Sequence, residues 1–210
     1  MKKVFMLLLL FAGVYQLQAQ TPYCCVTKGA VLTYTDYNAK GKETGTTTTV
    51  FKDVRMISDM DYDVVMETTV DAGGNQTTME TTMEVRNGNA TISMGSGSID
   101  LTATDPELLR IPNKLAVGYQ LPLGEMIVDL SGFRVKSTIT ENEVVDREEI
   151  TTPAGTFKCY VVQQTSEGRV MGIKSSSTIK TWYSRGVGAV KTETYSNGDL
   201  LSSSVLTSMK

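Results

Sequence analysis

Three aspartates at alternate positions, Asp59, Asp61 and Asp63, come closest in this chain to a metal-ligating run. A calcium loop that begins this way needs glycine at its sixth place for a sharp turn. It also needs glutamate at its twelfth place to close the coordination shell. Val64 and Val70 stand at those places, so the run reads as a charged turn between strands and no metal is expected. Glu148 and Glu149 are adjacent, which in a strand points them to opposite faces and bars a catalytic carboxylate pair. Asp146 and Glu148 share a face, the pattern of a solvated strand surface. Gly168, Gly172, Lys174 and Ser175 lack the spacing of a phosphate loop, because Ile173 separates glycine from lysine.

Histidine is absent. This removes the side chain most used for proton transfer near neutral pH, and with it any Ser-His-Asp or Cys-His constellation and any histidine-based zinc site. No catalytic residue and no cofactor are expected, and enzymatic activity is not the leading expectation. The net charge of −3 comes without a basic cluster, so nucleic acid is not an expected partner, since phosphate binding needs clustered lysine and arginine.

Three cysteines remain: Cys24, Cys25 and Cys159. Their redox state depends on the compartment. Lys2 and Lys3 precede an apolar run from Val4 to Val14, and Leu17-Gln18-Ala19 offers a small residue before Gln20. That is the layout of a secretory signal peptide over residues 1–19, and the apolar run is short of the roughly 20 residues a transmembrane helix needs. The chain is therefore expected in the periplasm or outside the cell, soluble and not membrane-spanning. In an oxidising compartment one disulfide and one leftover thiol are expected, with Cys24 or Cys25 joined to Cys159. Such a bridge would contribute about 4–5 kcal/mol in the chain-entropy model. Three buried thiols, or a strained bond between Cys24 and Cys25, are the alternatives.

What must position these residues is almost all strand. Threonine is abundant, and β-branched residues suit a pleated surface with one solvated face. From Thr77 to Val85 the period is two: Met79, Thr81, Met83 and Val85 point inward and Glu80 and Glu84 outward. Asn87-Gly88 and Asn197-Gly198 are hairpin turn signals of the type that needs positive φ at both residues. Thr104 to Arg110 reads as one helical turn, with Thr104 and Glu107 resembling a capping box and Pro106 in the first turn. Leu115 to Leu123 reads as an extended link. Residues 20–210 are expected to form a single all-β domain: an antiparallel curved sheet or half-open barrel of about 10–12 strands, with one short helical turn near 105–110.

Met56, Met60, Met66, Met79, Met83 and Met94 crowd the first half. Flexible thioether side chains fill cores, and they can also line a pocket for varied apolar ligands. The leading expectation is thus a non-enzymatic carrier or binder of a lipid or other hydrophobic small molecule. The alternative is an envelope protein-protein interaction or structural module that uses a sheet edge or face.

The last third carries the most specific pattern. Thr152-Pro153-Ala154-Gly155-Thr156-Phe157-Lys158-Cys159-Tyr160 is followed by Trp182-Tyr183-Ser184-Arg185-Gly186-Val187-Gly188-Ala189-Val190. With Gly41-Lys42 and Val117-Gly118, it resembles a family of secreted bacterial β-proteins of unknown function, the DUF3108-like family, some of them TapB-like. The resemblance implies a curved antiparallel sheet or barrel, distantly similar to periplasmic lipoprotein carriers, and brings no activity with it. Its motif residues here are Pro153, Gly155, Phe157, Trp182, Tyr183, Gly186 and Gly188. Pro153 and Gly155 build a tight turn before a core strand, and Gly186 and Gly188 allow a bend or a close backbone approach.

Overall fold

A computed structural model describes residues 21–94, 99–103, 105–130, 133–170 and 173–210. The expected signal over 1–19, together with Thr104 and Gly172, lies outside the described residues. Alternating side chains and turn residues produce strands in unbroken succession: β1 (Val31–Asn38), β2 (Glu43–Ser58), β3 (Asp61–Ala72), β4 (Asn75–Arg86), β5 (Asn89–Met94) and β6 (Ile99–Ala103). After a 3-10 turn at Pro106–Leu109 come β7 (Arg110–Ile111), β8 (Gly124–Leu130), β9 (Phe133–Thr152) and β10 (Gly155–Val170). β11 (Ile173–Ser184), β12 (Gly188–Ser196) and β13 (Asp199–Met209) finish the chain. All belong to one sheet in the order β6-β8-β9-β10-β11-β12-β13-β1-β2-β3-β4-β5-β7, and every pairing is antiparallel.

The hairpin turns form where the residues allow them. Asn87 and Gly88 take φ of 51° and 76°, and Asn197 and Gly198 take 51° and 93°, the left-handed values that let a two-residue turn follow the strand twist. β4 alternates as its residues dictate, with Thr81, Met83 and Val85 buried and Glu80, Thr82, Glu84 and Arg86 exposed. Threonines hydrogen-bond across strands, as in Thr69–Thr78 at 2.9 Å, Thr49–Thr68 at 3.0 Å and Thr165–Thr178 at 3.2 Å. β9 is one long strand that bends along its length. Its register against β10 shifts at Val161/Val162 and again at Thr165/Ser166, and such bulges bend a strand without ending it.

The sheet curves without closing. β5 and β6, near its opposite ends, come into contact, and β9 approaches β13 with β10, β11 and β12 between them in the order. The main core joins Leu32, Phe51, Val64, Met66, Met83, Val85, Val190 and Leu206 with Cys24, Cys25, Cys159 and Trp182. The segment before β1 fastens this end, because Gly186 donates its N–H to the Pro22 carbonyl at 2.8 Å and Gly29 donates to Phe51 at 2.8 Å. Among the described residues no helix is long and apolar enough to cross a membrane.

Candidate functional site

The gap between the two ends of the sheet is spanned by residues 105–123. Asp105, in extended backbone, accepts the Glu107 N–H at 2.9 Å and so caps the 3-10 turn, while Pro106 opens it. The expected cap, Thr104, lies outside the described residues. β7 then pairs with β5 through Ala90–Ile111 and Thr91–Arg110. Asn113 is held from two sides. Its N–H donates to Asn89 Oδ1 at 2.9 Å, and its side-chain and main-chain oxygens accept from Arg185 at 3.1 and 2.9 Å.

Beyond Asn113 the chain becomes a strap along β9. Gly118 donates to Val144 at 2.8 Å, Val144 donates back to Tyr119 at 3.0 Å, and Leu121 donates to Asn142 at 2.8 Å. The Asn142 side chain, itself buried, donates to the Pro122 carbonyl at 3.0 Å. Behind the strap Leu115 packs with Tyr23, Val144 and Val162, against Leu121, Tyr160 and Tyr183. Tyr23 meets Tyr160 edge-on, with centroids 6.1 Å apart, and the Arg185 guanidinium lies 4.3 Å from the Tyr23 ring centroid.

The 3-10 turn, the strap and the faces of β9, β10 and β11 enclose a cleft of about 230 Å3. Its wall is apolar: Ile92, Leu108, Leu109, Ile111, Pro112, Leu115, Leu121 and Val162. Three neutral polar groups enter it, from Asn142, Gln164 and Tyr183, and Arg110 stands at its edge with Glu107 2.6 Å away. Burial pushes the Tyr183 phenol up, and its hydrogen bond with Thr181 only partly opposes this, so the phenol is a neutral hydrogen-bonding group at physiological pH. An apolar wall with a few neutral donors and acceptors orients a ligand; it supplies neither a nucleophile nor a base.

Of the expected site residues, only Tyr183 reaches this cleft. Trp182 points to the opposite face of β11, where it is buried and donates Nε1–H to Glu148 at 2.5 Å. Pro153 lies in the β9–β10 turn, and the Phe157 ring packs close to Gly155, whose φ of 139° lies in the region that disfavours a side chain. Gly186 and Gly188 serve the segment before β1: Gly186 donates to Pro22, and Gly188, with φ of 100°, lies against Tyr23 and Cys24. Gly186 and Gly188 thus help to seat residues 21–25.

All three cysteines are buried thiols in the main core. Burial, with Cys25 adjacent, pushes Cys24 up to about 12. Burial, with Glu148 nearby, pushes Cys159 up to about 11. Neither thiol ionises at neutral pH, which removes them as nucleophiles.

Among the described residues, no methionine side chain lines the cleft. Met66 and Met83 fill the core, Met56 is exposed, and neither Met60 nor Met79 lines the cleft. Asp61 and Asp63 are taken up by protein donors: Asp61 accepts from Ser58 and Asn87, and Asp63 from Arg55 and Arg86. No cluster of metal-ligating side chains occurs among the described residues. The apolar wall was readable in part, since Leu108, Leu109, Leu115 and Leu121 crowd a stretch with few polar residues. Asn142 and Gln164 carried no signal, because only the sheet's curvature brings them to the strap.

The sequence profile of the DUF3108-like family matches residues 27–206. Two solved structures share the architecture. One, from Bacteroides fragilis, is described as an exported protein with a YmcC-like fold. It superposes with a TM-score of 0.74 at 21% identity over 90% of this chain and 99% of its own. The other, from Parabacteroides distasonis, is described as a lipoprotein and gives a TM-score of 0.75 at 22% identity over 91% of this chain and 99% of its own. Among curated proteins none matches.

Proposed function

The chain belongs to the DUF3108-like family, and from that premise we propose that it is an exported, non-enzymatic protein that carries or binds a hydrophobic ligand in the cleft between the sheet ends. Residues 1–19 are its signal and residues 20–210 its single β-rich domain. The signal-like start supports a periplasmic or secreted location, as do the descriptions of the two similar structures as exported and as a lipoprotein.

One observation carries the binding role: among the described residues, the apolar wall of the cleft is interrupted only by the neutral groups of Asn142, Gln164 and Tyr183 and by Arg110, already paired with Glu107. A charged ligand would find no unpaired partner there, whereas an uncharged apolar group gains by leaving water. The volume of about 230 Å3 is below the about 300–1,000 Å3 of sites that swallow a drug-sized molecule. It suits one acyl segment or one ring, with the rest of the ligand outside. Docking through a sheet edge draws less support. Among the described residues, β9 beyond Val144 pairs only with β10, but that edge bulges near Val145 and bears exposed Asp146, Arg147 and Glu149, features that discourage strand addition.

Native mass spectrometry of the protein purified from its own host tests this. A discrete adduct with the mass of a lipid or other apolar molecule is the expected result. A bare monomer that also takes up no fatty-acid probe on titration would overturn it.

A further inference from the structure

The strap that closes the cleft has a second apolar row. Leu115 and Leu121 face the cleft, whereas Val117, Tyr119 and Leu123 turn to solvent with 58%, 46% and 55% of their surfaces exposed. Single exposed apolar residues need no explanation; three within seven residues on one strap do. We infer that this outward row docks the protein onto an anionic lipid surface.

Three features favour a lipid surface over a protein partner. First, Tyr119 donates its N–H to Ala116 at 2.9 Å, and Gly118 has φ of 85°, so residues 116–119 form a tight turn with Val117 at its tip. A projecting turn inserts into a soft interface but offers no extended edge for another strand. Second, Pro122 lacks an N–H, and the amides of Gly118 and Leu121 already serve β9. Third, the strap itself bears no carboxylate, and Glu143, opposite Gln120 on β9, is half-buried. From residue 108 to residue 124 there is no carboxylate in a chain of net charge −3. Arg110 is paired with Glu107, and exposed Lys114 forms no ion pair among the described residues. An aromatic residue with a polar tip, two aliphatic residues and a free ammonium group match the boundary between headgroups and acyl chains.

This inference goes beyond the carrier reading and stands without it. Protein purified after export from its own host is mixed with vesicles of phosphatidylcholine alone, and with vesicles that also contain phosphatidylglycerol. A Tyr119→Trp variant places an indole on the strap while Trp182 stays buried. Its emission is expected to shift to shorter wavelength, and the protein to sediment, with the anionic vesicles more than with the neutral ones. The Val117→Ser/Leu123→Ser variant, with an unchanged circular dichroism spectrum, is expected to bind about tenfold more weakly. Failure to sediment with either vesicle would overturn the inference, as would sedimentation unaffected by the double substitution. Release of a co-purifying protein by that substitution, without any vesicle binding, would assign the row to a protein partner. An empty cleft in the mass spectrum and a failed sedimentation are separate results, so each idea can fall alone.

Discussion

Arg185 grips Asn113 with two guanidinium nitrogens, Nη1 to the side-chain oxygen at 3.1 Å and Nη2 to the carbonyl at 2.9 Å. The same Nη1 donates to the Thr21 carbonyl at 2.5 Å. One side chain from the β11–β12 turn thus fastens both the start of the strap and the segment before β1. The arrangement depends on a planar fork, which an ammonium group cannot reproduce.

Arg185→Lys is therefore expected to lose stability by about 1.5–3 kcal/mol, the range for hydrogen bonds to a charged group. Urea unfolding followed by circular dichroism measures the loss. Hydrogen exchange should rise first at Gly118 and Leu121, whose amides depend on the strap staying seated. A loss spread evenly over the whole sheet would show that the residue stabilises the fold generally and not the strap.

Gly88 lies beneath the same junction. A Cβ there would fall 2.4 Å from Met60 Cε and 2.6 Å from Asn113 Cγ, on a backbone with φ of 76°. Gly88→Ala is expected to cost about 1–3 kcal/mol through backbone strain and displacement of Asn113. Gly41→Ala has a similar φ of 71° but open space around it, so it should cost about 1 kcal/mol. The difference between their urea midpoints isolates the crowding at Asn113.

Hairpins such as the one around Gly88 were legible because their signal is local: Asn-Gly demands positive φ at two neighbouring residues, and both sites take it. The inward row of β4 was legible for the same reason, since alternation is a property of adjacent residues. The cleft was not. Ile92 and Val162 line one cleft only because the sheet curves, and that curvature is helped by bulges between β9 and β10 that no residue type announces. The methionine-rich half suggested a soft pocket, yet Met66 and Met83 went to the core, as an apolar residue on an inward row usually does.

The cleft itself is tested at Leu109. This residue lies on the 3-10 turn and belongs to neither buried cluster, so enlarging it should leave the fold intact. Leu109→Trp is expected to fill the cleft and weaken binding of a fluorescent fatty-acid probe by about tenfold, the cost of excluding one to two methylenes from the site. Equal affinity in the variant would place the probe elsewhere.

Stability should be flat across neutral pH, since no histidine titrates there. On the acid side, Arg55 and Arg86 hold the Asp63 carboxyl below its usual range. At Glu193 burial pushes the carboxyl up, but hydrogen bonds from Lys191 and Tyr195 outweigh it and the net shift is downward. Depressed carboxyls contribute stability above their unfolded values of about 4, and that contribution is lost as pH falls through the folded ones. On the alkaline side the sign reverses. Cys24 and Cys159 are raised to about 12 and about 11, so the unfolded chain gives up these protons from about pH 8.5 while the folded chain keeps them. Stability should decline from there upward. Urea midpoints between pH 3 and pH 11, on the order of one per unit, check both limbs, and a step near pH 6.5 would contradict the scheme.

The chain's one tryptophan offers the sharpest local test. Trp182 is buried to 6% exposure, its Nε1–H bonds Glu148 at 2.5 Å, and Lys191 Nζ lies 4.5 Å from its ring centroid. Glu148→Ala leaves the indole N–H without its acceptor and is expected to cost about 1 kcal/mol, the carboxylate being exposed enough for water to replace part of the bond. Trp182→Phe removes the donor and keeps much of the apolar volume. If the Trp182–Glu148 bond is the only coupling between the two positions, the double variant should be no less stable than Trp182→Phe alone, and the cycle should return the energy of the bond. A double variant whose loss equals the sum of the two single losses would mean that Glu148 acts through Cys159, which faces it directly across β9 and β10, and that the indole is held by packing alone.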